Sequence, residues 1–348
     1  MNADKRRWFV LPLVLICVHL RSSAVTFSSE IRGVSLAHLH RGGVGYGSGD
    51  CRKQLEALKA IGANWVAIND FAYMPEVNKP AVRFGGDPTT KEQQLARCID
   101  DAHALGLKVL VKPHVWSRQF HNNQKWHGDI KMTSEDDWDA WFAQYGQYVL
   151  FHARLAERTK CEMLCVGVEY EGTSASQEAR WRKLIAEVRK VYSGPITYAA
   201  AFGEWPQVKW WDAVDYIGID AYFPVATKPS ATEDEIRAGW ANVYGFLEPF
   251  GKKWDKPLLF AELGYSASSK AALEPWAYDV VDPDPKYQAL LYQVALEEAA
   301  KRDYVAGVFL WKWFTSDSFR KHEGRDPFAM QDRPEVVEVL RSAWKGAP

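Results

Sequence analysis

From about residue 31 onward, short apolar runs alternate with longer stretches whose apolar positions recur every three or four residues. The runs at 31–37, 64–69, 108–113, 162–168, 196–201, 216–221, 258–261 and 307–311 predict β-strands. Stretches at 51–61, 91–105, 135–157, 178–192, 233–247 and 287–301 predict amphipathic helices between them. This alternation is the pattern of a parallel α/β protein, because parallel neighbours need a crossover and the crossover helix covers the sheet. Eight strands suit a closed (β/α)8 TIM barrel. Ser134 before Glu135-Asp136-Asp137 supplies a capping oxygen and an acidic first turn. Gly62 and Gly106 each stand just past a predicted helix, where a left-handed cap is needed before the next strand. Connections after the strands are longer, at 70–89, 115–133 and 223–233. Tight turns at one end and long loops at the other give such a barrel a functional face.

The N-terminal segment follows another pattern. Lys5-Arg6-Arg7 precedes an apolar run from Trp8 to Val18, and Arg21-Ser22-Ser23-Ala24 follows, the layout of a secretory signal peptide cleaved near Ala24. A buried N-terminal helix or a membrane anchor is the alternative, but the run is too short to span a bilayer. The expected organisation is a signal peptide over 1–24 and one barrel domain over 25–348, in a secreted or periplasmic protein without stable membrane insertion. The 348 − 24 = 324 residues of that domain leave little for a second one.

Composition narrows the partner. A net charge of −1 and the lack of a basic cluster beyond the leader argue against nucleic acid. Sixteen tryptophans are a high count; many must be core, yet flat indole faces also suit sugar rings. The expected partner is a polysaccharide or oligosaccharide, acted on by a monomer. Cys51, Cys98, Cys161 and Cys165 remain after the leader; a chain this long needs no disulfide framework, and their spacing does not resemble a zinc site. Cys161 and Cys165 fall at one parity of a predicted buried run, as small apolar residues.

Two glutamates end apolar runs, Glu169 after Met163-Leu164-Cys165-Val166-Gly167-Val168 and Glu262 after Pro257-Leu258-Leu259-Phe260-Ala261. A carboxylate there serves a core poorly and a pocket well, since the strand ends of a βα barrel form the active face. Simple alternation puts Gly167, Cys165 and Met163 on the face of Glu169, and Phe260 and Leu258 on that of Glu262. Tyr222 then shares a face with Asp220 and Gly218, and Trp311 and Trp313 share one with Phe309 and Gly307. Lys112 and His114 stand together at the end of the third strand, followed by Trp116. Two carboxyls, a phenol, an imidazole and several indoles are the equipment of a glycosidase, in which one carboxyl is protonated and the other ionised. A phenol donated by Tyr222 would hold one glutamate ionised. Trp116, Trp126 and Tyr73 lie on the long loops and are candidates for outer sugar contacts.

Gly33-Val34-Ser35, Gly45-Tyr46-Gly47-Ser48, Gly62-Ala63-Asn64-Trp65-Val66, Lys112-Pro113-His114-Val115-Trp116, Ile217-Gly218-Ile219-Asp220-Ala221-Tyr222-Phe223-Pro224, Phe260-Ala261-Glu262-Leu263-Gly264-Tyr265 and Trp311-Lys312-Trp313 together resemble glycoside hydrolase family 113. The resemblance spans nearly the whole chain after the leader. It implies a retaining (β/α)8 enzyme with a glutamate pair on strands four and seven, chiefly an endo-β-1,4-mannanase. It further implies Glu169 as acid/base and Glu262 as nucleophile. From their places at strand ends and on the long loops, Tyr222, His114, Trp311, Trp313, Trp116, Tyr73 and Lys112 are the substrate-binding candidates, and no cofactor is expected. Many members of the wider clan carry Asn just before the acid/base; here Val168 stands in that place, so the usual contact to the sugar 2-hydroxyl is missing.

Other readings make different demands. Glu171 has the parity of Glu169 and is an alternative acid, two residues past the strand. His38-Leu39-His40 resembles the opening of a metal-dependent hydrolase barrel, but such a site needs further ligands on later strands, and the fifth and sixth supply no histidine. A glycan binder without turnover would need neither an acid nor a nucleophile.

Overall fold

The structure, a computed structural model, describes residues 31–38, 43–280, 282–321 and 326–345. The leader expected at 1–24, and Leu39 and His40, lie outside the described residues.

Eight parallel strands close into a barrel: β1 (Ile31–Ala37), β2 (Trp65–Ile68), β3 (Lys108–Val111), β4 (Met163–Val168), β5 (Ile196–Ala201), β6 (Tyr216–Asp220), β7 (Leu258–Leu263) and β8 (Val305–Phe314). Each pairs with its neighbour in sequence, and β8 returns to β1. The helices are α1 (Gly49–Ala60), α2 (Pro88–Ala104), α3 (Glu135–Thr159), the short α4 (Glu171–Ser174), α5 (Glu178–Arg189), α6 (Glu233–Trp254), α7 (Pro285–Ala300) and α8 (Pro334–Lys345). This is the (β/α)8 TIM barrel that the alternation predicts. None of these helices is long and apolar enough to cross a membrane.

Local signals act where the sequence places them. Ser48, Ser134 and Thr232 accept backbone N–H groups at the starts of α1, α3 and α6. Gly62 and Gly106 adopt φ of 99° and 69° after α1 and α2. The α6 helix continues through Pro249, past its predicted end at 247, because Leu247 and Gly251 are buried on its inner face and packing outweighs the proline. Between β5 and β6 two 3-10 turns, Trp205–Gln207 and Trp211–Ala213, replace a helix. There Trp210 stacks on Trp181 of α5 at 5.1 Å, the packing role its position suggests.

The barrel interior is filled by Ile31, Trp65, Ala67, Leu110, Met163, Cys165, Ala199, Leu259, Ala261 and Phe309. Their alternate neighbours, such as Leu36, Val66, Leu164, Ile217, Leu258 and Phe260, pack under the helices. Here simple alternation needs correcting. On β4, Cys165 pairs with Thr197 but Val168 with Ala199, so three steps on β4 match two on β5. Gly167 turns outward, where an added Cβ would lie 2.7 Å from Trp181, and Val168 turns inward. On β7, Phe260 pairs with Ile219 and Glu262 with Asp220, again with one extra residue. Leu258 and Phe260 therefore face the helices while Glu262 faces the pocket. A bulge adds one residue and re-aims the side chains beyond it. The β1–β8 register shifts likewise between Leu310 and Trp313, and Trp313 packs outward rather than beside Phe309.

All four described cysteines are free and buried. Cys161 precedes β4 and packs under the helices, whereas Cys165 lies inside the barrel, so the two do not share a face. The Sγ atoms of Cys51 on α1 and Cys98 on α2 are 3.6 Å apart.

Gly33 lets the Phe309 ring occupy the barrel centre: a Cβ there would lie 2.4 Å from that ring. Gly33→Ala is expected to lower stability by about 1–3 kcal/mol through overpacking. Gly245→Ala on the exposed side of α6, where a Cβ meets nothing within 4 Å, should be neutral or raise stability by up to about 1 kcal/mol. Urea unfolding midpoints of the two variants check both outcomes.

Candidate active site

The carboxyl ends of the strands bring four ionisable side chains together, Lys112, Asp220, Glu169 and Glu262. Lys112 follows β3 and has no solvent exposure. Its Nζ donates to Glu262 Oε1 at 2.6 Å, to Asp220 Oδ1 at 3.3 Å and to the Ala261 carbonyl at 3.2 Å. Burial works against this ammonium, but Asp220 and Glu262 outweigh it and hold it protonated above the usual lysine range. The Tyr222 hydroxyl donates to the other oxygen, Glu262 Oε2, at 2.7 Å. Burial and the Glu262 carboxylate raise the phenol's pKa, so it stays a donor. Both Glu262 oxygens thus accept hydrogen bonds, the arrangement of an ionised carboxylate.

Asp220 is also fully buried, and its Oδ2 has no hydrogen-bond partner. Burial, then the Glu262 charge, push its pKa well up against the pull of Lys112. One ammonium can balance one carboxylate in this buried layer, and Asp220 is the group driven toward its neutral form.

Glu169 sits at the end of β4 with a backbone φ of 56°, a left-handed conformation that is costly for a residue with a side chain. Its N–H donates to Ala199 at 2.7 Å. This turn and the bulge before it swing the side chain over the barrel mouth, where it keeps 19 % exposure. Burial, followed by the nearby Asp220 and Glu262 carboxylates, pushes its pKa well above the usual carboxyl range. The two glutamates therefore have opposed environments. Glu171 points elsewhere, opening α4 and accepting from Gln207 at 2.8 Å.

The aromatic candidates separate. His114 begins a small outer strand (His114–Ser117) that pairs with Phe71–Met74 above the barrel. Its ring lies 6.4 Å from that of Trp311, and its buried Nε2 has no hydrogen-bond partner. Burial, Lys112 and His127 keep it neutral. Trp311, partly exposed at the end of β8, belongs to the same pocket and has Tyr278 Oη 3.4 Å from its Nε1. Trp313 does not join it: it is buried under α1 and donates to Gln54 at 2.7 Å. Trp116 packs edge-on against Phe71 and Phe120 in the loop wall. Tyr73 lines a separate cavity of about 620 Å³ with His38, Tyr46, Asp70 and Lys91, whose wall includes neither glutamate. Lys112, placed among the sugar contacts by its position, lies instead beneath Glu262 as an internal ion. Trp126 is exposed on the long loop after β3.

Several residues escaped notice in the sequence. His127, from the same long loop, has its Nδ1 3.8 Å from Glu169 Oε2, and burial lowers its pKa to about 4. Loop residues carry no periodicity, so nothing in the pattern points to it. Glu204 is completely buried after β5 and accepts from Ser174 Oγ, from Tyr198 Oη at 2.5 Å and from the Ala201 N–H at 2.9 Å. Tyr198 Oη in turn accepts the Tyr170 N–H at 2.8 Å, so Glu204 braces the residue next to Glu169. Its position three residues past a strand end was the available signal. Asp220 was visible only as a neighbour of Tyr222.

Among the described residues no group of three or more His, Cys, Asp or Glu side chains is arranged to hold a metal. His38 accepts the Tyr46 N–H at 3.1 Å and lies against its ring.

Two carboxyls of opposed character at the ends of β4 and β7 are what glycoside cleavage requires. The sequence matches Glycoside Hydrolase Family 113 over residues 38–332. The chain belongs to glycoside hydrolase family 113. Solved members of family 113 are similar to it throughout. A GH113 β-mannanase from Alicyclobacillus acidocaldarius, in complex with ManMIm, is 30 % identical with a TM-score of 0.78, over 91 % of this chain and 97 % of that one. A GH113 β-1,4-mannanase structure is 29 % identical at the same TM-score, over 91 % and 99 %. A β-glucuronidase from Faecalibacterium prausnitzii, 14 % identical with a TM-score of 0.57 over 86 % of this chain and 45 % of that one, shares the fold. No curated protein matches the chain. As a family 113 protein, it is a glycoside hydrolase.

Burial dominates the three hydrogen bonds that Glu204 accepts and raises its pKa to about 7. A carboxyl raised on folding stabilises the protein below its unfolded pKa, and that stability is lost as pH rises through the folded value. The stability of Glu204→Gln relative to wild type is therefore expected to rise by roughly 3 kcal/mol between about pH 4.5 and 7, measured by urea unfolding across that range. A constant difference would mean that Glu204 is ionised throughout.

Proposed function

We propose that this chain is a retaining endo-β-1,4-mannanase working by double displacement. The observation that carries the assignment of roles is the division between the two glutamates. Glu262 accepts from Lys112 and Tyr222 on its two oxygens, while burial and neighbouring negative charge favour the protonated form of Glu169. In the first step Glu169 gives its proton to the glycosidic oxygen as Glu262 attacks the anomeric carbon, and the bond to the leaving sugar breaks. In the second step Glu169, now ionised, takes a proton from water, whose oxygen displaces Glu262 and regenerates both groups.

Lys112 is a positioning residue in this scheme: it does not touch substrate but fixes the nucleophile. Trp311 provides a face for the reacting ring, and the neutral His114 offers its free Nε2 to a sugar hydroxyl. That contact compensates in part for Val168, which cannot bond the 2-hydroxyl. The β-1,4-mannan substrate is supported by the similarity to the two solved β-mannanases. The basic and apolar leader pattern supports export, and the enzyme is proposed to act as a secreted or periplasmic monomer.

Glu262→Gln should fold as wild type and lose turnover on linear β-1,4-mannan by at least about 10⁴-fold, scored as reducing-end release; wild-type-like rates would remove Glu262 as nucleophile. Products sized by chromatography should be mixed oligosaccharides, and the first-formed anomer should be β by proton NMR. Glu169→Gln should retain the first step only on aryl mannosides with good leaving groups, and there it should lack the alkaline fall in rate that deprotonation of Glu169 imposes on the wild type. Tyr222→Phe should lower kcat by roughly 10-fold to 100-fold with KM little altered; a pure KM effect would remove the phenol from the chemistry.

A further inference from the structure

Cys51 and Cys98 take no part in the proposed chemistry, and they face each other. Cys51 lies in the first turn of α1 and Cys98 in the middle of α2, and neither side chain has solvent exposure. Their Sγ atoms are 3.6 Å apart, although 47 positions separate the two residues in the chain. The other two described cysteines bond elsewhere. Cys161 contacts Thr159 Oγ1 at 3.3 Å and Cys165 the Gly167 carbonyl at 3.1 Å, in opposite layers of the barrel.

A disulfide has an S–S distance of about 2.05 Å, so the two sulfurs need to close by about 1.5 Å, a shift that rotation of both side chains can share. The surroundings hold the two helices in place for it. Ser48 caps α1 by accepting the Cys51 N–H at 3.1 Å, and Arg52 bonds Asp101 across the same helix pair at 2.6 Å. Gly47 lets α2 approach, since a Cβ there would lie 2.8 Å from the Gln94 carbonyl oxygen. Tyr46, in the same core cluster, joins β1 to β2 through the Leu36 carbonyl at 2.6 Å and the Asn69 N–H at 2.8 Å.

The closed barrel is a poor place to make the bond, because the nucleophile in thiol–disulfide exchange is the thiolate. Hydrogen bonding to Cys51, then burial, push the Cys98 thiol well above its ordinary range, and neither sulfur is open to an oxidant. The bond therefore forms while the chain is still folding and both thiols are accessible. Burial then shields it from reductants.

We propose that Cys51 and Cys98 are a disulfide-forming pair that, oxidised as the exported chain folds, ties α1 to α2. This rests on the proposed export, since disulfides persist in oxidising compartments. The oxidant is another disulfide, of glutathione or of an exchange protein. One cysteine thiolate attacks it, which forms a mixed disulfide and releases one thiolate. The second cysteine thiolate attacks the protein sulfur of the mixed disulfide and releases the other. The two protons lost by the cysteines end on the two released thiols, so two protein thiols are oxidised and one disulfide is reduced.

To test this, the full chain is denatured with reductant and refolded either in reduced and oxidised glutathione or in excess reductant. Peptide mapping after alkylation should find Cys51 joined to Cys98 in the first sample and both alkylated in the second. Cys161 and Cys165 should be alkylated in each. The Tm of the oxidised sample should be higher by about 5–10 °C, the scale expected of a cross-link closing a loop of this size. One chain is compared in two redox states, so no variant has to fold; in Cys98→Ala the two conditions should give one Tm. Alkylation of both cysteines after oxidative refolding, their linkage to other cysteines, or equal Tm values in the two states would overturn the pair. Fractionation of a bacterial host expressing the full chain tests export separately, and the same mapping of exported material should show the Cys51–Cys98 link. A chain retained in the cytoplasm defeats the export reading, and the refolding result then decides the pair by itself.

Discussion

The active face depends on one buried ammonium. Lys112 has no exposure, and it lies between Asp220 and Glu262 under the barrel mouth. Taking three ionisable groups out of water is unfavourable unless charge is balanced and every donor is used. Lys112 uses its donors on two carboxylates and a carbonyl, and only one carboxylate need stay charged. That balance leaves Glu262 as the anion, since it alone also receives the Tyr222 phenol. Removing Lys112 would leave the carboxylates without a compensating charge, a loss of about 3–5 kcal/mol, whereas with Glu262 neutralised Asp220 remains to balance the ammonium. The cluster is accordingly a constraint on both folding and reaction.

The second constraint is geometric. A strand that alternated strictly could not present Val168 and Glu169 to the same mouth, nor Ala261 and Glu262. Each strand solves this with one extra residue, and Glu169 adds a left-handed backbone step. The conformational cost of that step is of order 1–3 kcal/mol, and it persists because neighbours over-determine it. The Glu169 N–H is bonded to Ala199, the Tyr170 N–H to Tyr198, and Tyr198 to Glu204. Trp181 and Tyr198 fill the space beside Gly167 that a side chain would need. Glu169 is thus held through Tyr198 by the buried Glu204, which it never touches.

Above this rigid floor stand the loops. His114 and Trp116 are raised from the barrel by the outer strand that pairs with Phe71–Met74, and His127 comes from the loop beyond it. Trp311 and Tyr278 close the other side. The floor is built from ions and hydrogen bonds, which fix the reacting groups in space. The walls are built from rings, which accept a sugar's apolar face with little directional demand. That division lets one set of residues determine chemistry while another determines which chain fits.

Alternating apolar runs and helical stretches determined by themselves that this chain closes into a (β/α)8 barrel, since parallel strands require covered faces and crossovers. The capping Ser134 and the glycines at 62 and 106 determined where α3 begins and where α1 and α2 end, because those are local backbone demands. Glu169, Glu262 and Tyr222 were legible because polar groups at strand ends are costly unless used. What tertiary structure decided was which way side chains face and what charge they carry. The bulges on β4 and β7 reverse parity through pairing with neighbouring strands, which no single strand encodes. Trp313 went under α1, and Lys112 went beneath Glu262, for the same reason. His127, Glu204 and Tyr278 acquire meaning only from residues distant in sequence, because burial and electrostatic environment are properties of the packed barrel and not of any segment in it.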